Sequence, residues 1–468
     1  MANTDLSQLS AATLIDRYRR REVSPVDVTR DALERIERFQ PAVNAFVLVD
    51  ADGALAAARA SEARWAKDEP QGLLDGIPVT VKDNIDVAGL PSRKGSRTTS
   101  TAPAETDAPA VARMHEHGAV VLGKTALPEW GWIGVCHSPL TGITRNPWNR
   151  ARTTGGSSGG AAASALLNLG VLHLGTDGAG SIRIPAAFTG VFGIKPSYGR
   201  VPTYPASPFT VLAHQGPLTR TVRDAALMLS VIGRPDARDT TAWNTAAPDF
   251  CEGLEQGVHG LRIAWSPRLG YVKTVDTEAE TSAAKAAKVF AELGATVEEA
   301  DPEVGDPMTI LRAIWFGVAT TIVDAVPPAL REQMDPDFRC LAEQGRGYTL
   351  ADYLAAHVRR AQLAETMRRF HERYDLLLTP QMPLAAFEAG HVSPPDGRFG
   401  SEWINWSPYT YPFNLTQQPA ASVPCGFSSD GLPLALQIVG PPRSDALVLR
   451  AARAYERVHP FKTLAAPV

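Results

Sequence analysis

Between residues 28 and 39 the apolar side chains fall at Val28, Ala32, Leu33, Ile36 and Phe39. This three-and-four spacing marks one face of a helix. Ser24-Pro25 precedes it, offering a capping hydroxyl and a proline whose missing N–H costs nothing in a first turn. Ser10 stands in the same relation to AATLIDRYRRRE, and an alanine-rich helix is expected over residues 53–67. Residues 1–67 thus read as a helical layer whose apolar faces cover one side of a core. The period then changes: IPVTVKDNIDV is a β-branched strand pattern interrupted by Lys82 and Asp83, and residues 119–122 read as the next strand.

Beyond residue 202, HQGPLTRTVRDAALMLSVIG reads as a polar turn followed by a helix capped near Thr221. The Pro/Asp/Thr-rich residues 234–250 are the best candidate for an internal linker. Then come LRIAW (strand), a helix over 278–293, TVEEA (strand), two or three helices reaching Arg373, and YDLLLTP as a buried strand. Strands alternating with helices and no internal repeat imply an α/β architecture.

Composition narrows the partners. Hydrophobic residues make up 44% of the 468 and charged ones 21%, with a net charge of −4, so nothing suggests nucleic acid. Arg17, Arg19, Arg20 and Arg21 read as the solvated face of a helix. Cys136, Cys251, Cys340 and Cys425 are widely spaced, which suggests neither a disulfide scaffold nor a zinc site. The N-terminus lacks a basic region followed by an apolar core, and no run reaches about 18 apolar residues. The expectation is a cytoplasmic protein with no membrane association, no metal and no cofactor.

The chemistry concentrates in residues 155–202, GGSSGGAAASALLNLGVLHLGTDGAGSIRIPAAFTGVFGIKPSYGRVP. Two serines lie in two glycine-crowded turns separated by an Ala/Leu-rich helix. Such crowding lets backbone N–H groups gather around a reacting atom. Two other patterns mislead. Gly118, Gly123, Lys124 and Thr125 fit the phosphate-loop spacing, but residues 119–122 look like a strand whose N–H groups are used in a sheet. Gly155-Gly156-Ser157-Ser158-Gly159 fits the nucleophile elbow of α/β-hydrolases, yet RNPWNRARTT before it is no buried strand. No histidine sits in a catalytic motif.

The same stretch resembles the amidase signature family. GGSSGG and GTDGAGSIRIPAAFTGVFGIKPSYGRVP are similar to its central block, GIPVTVKDNIDVAG to its lysine segment, and GKTALPEWGW with NPWN to its next landmarks. NLTQQPAASVPCGF and GLPLALQIVG are similar to its closing segment, so the likeness spans nearly the whole chain. It implies a single α/β domain over residues 1–468, with a mixed, mostly parallel sheet covered by helices on both faces. Within it, residues 68–233 form the catalytic core and 251–468 the remainder with the pocket loops.

The resemblance further implies an amide hydrolase acting on a small-molecule amide, in which Ser181 is the nucleophile, Ser157 the bridging serine and Lys82 the base. Backbone N–H groups of Gly178, Ala179, Gly180 and Ser181 form its oxyanion hole. Lys82 can accept a proton only if burial lowers its pKa from about 10.4 by a few units. Asp177 and Arg183 are expected to brace the turn as an ion pair. Gly131, Trp132, Ile133 and Ser158, with Trp130 and Cys136, fall where a bulky apolar pocket wall is expected. The aromatic loop over 400–413 either lines that pocket or packs against the core.

The family usually has two glycines before its nucleophile, whereas this chain has Gly178-Ala179-Gly180. Positive φ at Ala179 would cost about 1 kcal/mol. The second enzyme reading is the glutaminase subunit of a tRNA-dependent amidotransferase, which works with partner subunits. Ser407 speaks against it, because that subunit tends to have an acidic residue there. A catalytically silent binding protein is a third reading, opposed by Lys82, Ser157 and Ser181 together. A homodimer is left open.

Overall fold

The computed structural model describes residues 6–464. Eleven strands build one sheet: Phe46–Val49 (β1), Pro78–Lys82 (β2), Val120–Thr125 (β3), Leu172–Asp177 (β4), Phe192–Lys195 (β5), His214–Thr219 (β6), Arg262–Trp265 (β7), Thr296–Glu299 (β8), Leu376–Pro380 (β9), Ala420–Phe427 (β10) and Pro433–Val439 (β11). Their spatial order is β1-β3-β2-β4-β6-β5-β10-β11-β9-β7-β8. The sheet runs without interruption through both halves of the chain. Residues 234–250 pack back onto the first half, where the Trp243 N–H donates to Gly199 O at 2.9 Å.

The sheet is mixed, but the expectation that it is mostly parallel is corrected. Six of its ten neighbouring pairs are antiparallel and four are parallel. Two features account for the difference. HQGPLT is not a turn: it forms β6, buried throughout and antiparallel to both β4 and β5. Gly216 is required there, since a Cβ would come 2.3 Å from Ile194 O. In addition, β10 and β11 form a hairpin closed by residues 428–432. Parallel pairing remains in β3-β2-β4 and in β9-β7-β8.

Alternation along β2 assigns the two faces. Val79 and Val81 enter the core shared with helices Pro109–Glu116, Val222–Ile232, Thr277–Glu292 and Asp445–Val458. Thr80 and Lys82 point the other way, Thr80 to His173 on β4 and Lys82 to the turn that precedes helix Gly159–Leu167.

The N-terminal layer consists of helices Ala11–Arg19, Pro25–Val43 and Ala51–Trp65. Ser10 and Ser24 cap the first two as expected, accepting from Thr13 N at 3.2 Å and Val26 N at 3.0 Å. The short edge strand β1 lies among them and is new. Helix Met308–Ala325 is long and apolar enough to span a membrane by length and composition. Ten of its residues, Trp315 included, are instead buried in a core with helix Pro336–Gly345.

Candidate active site

Lys82 ends β2, and β4 lies beside it, running parallel. Its side chain is fully buried, and Nζ lies 2.6 Å from Ser157 Oγ, 2.9 Å from Ser158 Oγ and 2.8 Å from Thr176 Oγ1. All three partners are hydroxyls, which carry no charge to offset the lost hydration of an ammonium. Burial pushes the Lys82 pKa from 10.5 down to about 7, with Cys136 and Asp177 pulling the other way.

The first glycine turn holds Ser157 against this amine. Gly156 has no room for a side chain, since a Cβ would lie 2.2 Å from Val135 O. Gly131 sits across from the serine, where a Cβ would come 3.2 Å from Ser157 Oγ. The second turn carries Ser181 and is tied to the first by the Ser158 N–H, which donates to Ser181 O at 3.0 Å. Ser157 and Ser181 line one cavity together with Gly131, Thr176 and Gly178. Among the described residues no hydrogen bond joins the two serine hydroxyls.

The residue of the second turn with positive φ is Gly180, at 124°, and not Ala179. Alanine therefore causes no backbone strain there. A Cβ at Gly180 would meet Thr410 Cβ at 2.7 Å, and Thr410 Oγ1 donates to Ala179 O at 2.6 Å. The expected set of four backbone donors is also altered. The Gly180 N–H donates to Asp177 Oδ1 at 2.7 Å, whereas among the described residues the N–H groups of Gly178, Ala179 and Ser181 meet no protein acceptor.

Asp177 and Arg183 form the expected brace. Both are fully buried, with Nε to Oδ2 and Nη2 to Oδ1 each at 3.0 Å. Arg183 also donates to Thr410 O (2.9 Å), Gln437 Oε1 (2.8 Å) and Asn414 Oδ1 (2.6 Å), binding the turn to the closing segment. Burial alone would raise the Asp177 pKa, but Arg183, Lys195 and Asn414 outweigh it and hold the carboxyl well below its usual range. Asp177 therefore stays ionised and cannot relay protons near neutrality.

The expected pocket wall is only partly where the sequence places it. Trp130 and Gly131 line the cavity. Trp132 and Ile133 instead belong to the core, with Trp132 stacked on Phe338 at 5.6 Å. Cys136 is buried against Ala126 and Thr144, and Ser158 serves Lys82 rather than the cavity. The apolar wall comes from Phe209 and Trp315, whose rings lie 4.2 Å apart. Neither carries a motif that would have singled it out. The aromatic loop packs against the core: Trp403, Trp406, Tyr409 and Tyr411 are buried, and Trp403 supports Trp315 at 5.4 Å.

A profile described as Amidase matches residues 27–449. An acylamidase from Rhodococcus erythropolis is 35% identical over 467 residues, covering 98% of each chain. A glutamyl-tRNA(Gln) amidotransferase subunit from Myxococcus xanthus is 36% identical over 495 residues, covering both chains fully. Among solved structures, a bacterial aryl acylamidase of the amidase signature family superposes with a TM-score of 0.90 at 32% identity, covering 97% of this chain and 96% of its own. The corresponding amidotransferase subunit from Thermotoga maritima gives 0.79 at 30%, covering 98% and 96%. With the profile spanning nearly the whole chain and the relatives matching end to end, this protein belongs to the amidase signature family of amide-hydrolysing enzymes.

Proposed function

We propose that the protein is a stand-alone serine amidase acting on small acyl or aryl amides, with Ser181 as nucleophile, Ser157 as bridge and Lys82 as base. The observation that carries this reading is the fully buried Lys82 amine held 2.6 Å from Ser157 Oγ by neutral partners. A neutral lysine has two N–H groups and one lone pair. Ser158 Oγ donates to Thr176 O at 3.1 Å, and Thr176 Oγ1 accepts from Asn84 Nδ2 at 3.2 Å. Lys82 directs its two N–H groups at these oxygens, which leaves its lone pair for the Ser157 proton.

Ser181 Oγ attacks the amide carbon as its proton passes to Ser157 and that of Ser157 to Lys82. The Ser181–Ser157 hydrogen bond forms with substrate in place, since such bonds tighten in the reactive complex. N–H groups of Gly178, Ala179 and Ser181 receive the oxyanion; loss of one oxyanion-hole donor typically costs about 3–4 kcal/mol of transition-state stabilisation. The relayed proton leaves with the amine or ammonia. Water, deprotonated by the same relay, then releases the carboxylate from Ser181.

The second reading, the glutaminase subunit of an amidotransferase, draws on the Myxococcus relative. The higher TM-score with the aryl acylamidase, 0.90 against 0.79, favours the stand-alone enzyme. So does Ser407, which is buried with its hydroxyl on Ile404 O at 3.3 Å. Treatment with a sulfonyl fluoride followed by peptide mapping tests the assignment. A single adduct on the Ser181 peptide is expected, absent in Ser181→Ala and slowed in Lys82→Ala. An adduct on Ser157 overturns it, and copurifying subunits with ammonia release from glutamine would favour the second reading.

A further inference from the structure

The cavity that holds Ser181 also contains polar atoms that hydrolysis does not use. Asn84, His214 and Gln215 line it, and each keeps one buried polar atom without a hydrogen-bond partner: Asn84 Oδ1, His214 Nε2 and Gln215 Oε1. The other end of each side chain is engaged. Asn84 Nδ2 donates to Thr176 Oγ1 at 3.2 Å, and Gln215 Nε2 reaches Thr203 Oγ1 at 3.4 Å. His214 Nδ1 faces two carbonyl oxygens, Leu212 O at 2.8 Å and Asp177 O at 3.2 Å. Nδ1 is therefore the protonated nitrogen, which leaves Nε2 as an acceptor. All three unpartnered atoms accept, and buried acceptors stay unfavourable until a ligand supplies donors.

Register places two of them together. Gln215 pairs with Thr176 across β6 and β4, and Asn84 is bonded to that same Thr176. The Asp86 carboxylate lines the same cavity, and among the described residues it has no cation within 4.0 Å. Two groups of opposite character also lie there. Trp130 Nε1 is an unpartnered donor, and Lys94 is committed to the Trp130 face, 4.6 Å from the ring centre.

Taking Ser181 as the nucleophile, the geometry points to a subsite, built from Asn84, Asp86, His214 and Gln215, that takes a primary amine on the substrate. The preferred amides carry an apolar portion against Phe209 and Trp315 and an amino group, on either side of the scissile bond, in this acceptor cluster.

Anilides of 4-aminobutanoic, pentanoic and succinic acids differ at one chain end, as amine, methyl and carboxylate, and anilides with an aminoalkyl or alkyl group on the ring vary the leaving side. We expect kcat/KM for the amine-bearing member of at least one series to exceed its alkyl partner by about 10-fold or more, because a site built around hydrogen-bonding groups rejects the analogue lacking them. Gln215→Leu and Asp86→Asn should each reduce that ratio several-fold, and any loss common to both substrates cancels in it. Ratios near one in both series, preference for the succinyl compound, or ratios unmoved by both variants would overturn the subsite. Titrating Ser181→Ala with 4-aminobutanamide and pentanamide reads the subsite without turnover. Tighter binding of the amine there, with no Ser181 labelling in the parent, would support the subsite while removing the nucleophile assignment.

Discussion

Lys82 and Lys124 lie on the paired strands β2 and β3, and both side chains are fully buried. The register sets Lys124 beside Val81 and not Lys82, so the two amines leave opposite faces of the sheet. Lys124 meets the Asp83 carboxylate at 3.4 Å, Ser92 Oγ at 2.9 Å and Pro91 O at 3.3 Å. Lys82 meets three hydroxyls and, among the described residues, no carboxylate within 4.0 Å. Burial lowers both pKa values, but Asp83 draws Lys124 back up, whereas Lys82 falls to about 7. Burial by itself does not make a lysine a base. Withholding the counter-charge does.

The sharpest way to break this comparison is to remove each amine while keeping its volume. Lys82→Met should lower kcat by roughly 10²- to 10⁴-fold, the range for loss of a general base, with little loss of thermal stability. In the parent the active form has Lys82 neutral, so activity should rise as pH increases through about 7 and fall about tenfold per unit below it. A pH–rate profile without that limb, or Lys82→Met with near-normal turnover, would separate this amine from the chemistry.

Lys124→Met should do the reverse. It leaves the buried Asp83 carboxylate unpaired, which in comparable cases costs about 3–5 kcal/mol of stability. Denaturant unfolding should show that loss, while kcat/KM measured well below the transition stays within a few-fold of the parent. Equal stability losses in the two methionine variants would mean that the carboxylate is not what distinguishes these sites.

Much of this arrangement was legible because it is local. The capping serines, the Lys82 strand, and the two glycine turns carrying Ser157 and Ser181 each announce themselves within a few residues. Strand β6 did not, because HQGPLT offers only Leu218 as an aliphatic and its burial is imposed by β4 and β5 on either side. The pocket wall was misplaced for a different reason. Trp130 and Gly131 both have positive φ, 54° and 72°, and the chain reverses there, so Trp132 and Ile133 turn into the core. Trp315 takes over the wall from an apolar helix far along the chain, where no pattern separates a cavity-facing tryptophan from a core one. Nor could GAGS reveal that positive φ falls on Gly180, which made Ala179 look costly.

The smallest effect tests the finest part of the contrast, the hydroxyl cage around Lys82. Thr176→Val keeps the side-chain shape and removes one of the three oxygens within 2.9 Å of Nζ. A hydroxyl oxygen stabilises an ammonium more than a neutral amine, so its loss should move the rate limb below the parental value of about 7. The plateau rate should fall as well, by about 2- to 10-fold, because one of the two bonds that direct the lone pair at Ser157 is gone, a loss on the order of one hydrogen bond. A purely structural role for Thr176 would lower stability and leave the limb in place. A limb displaced upward would mean that Thr176 donates to the amine, and the lone pair would then face Thr176 and not Ser157.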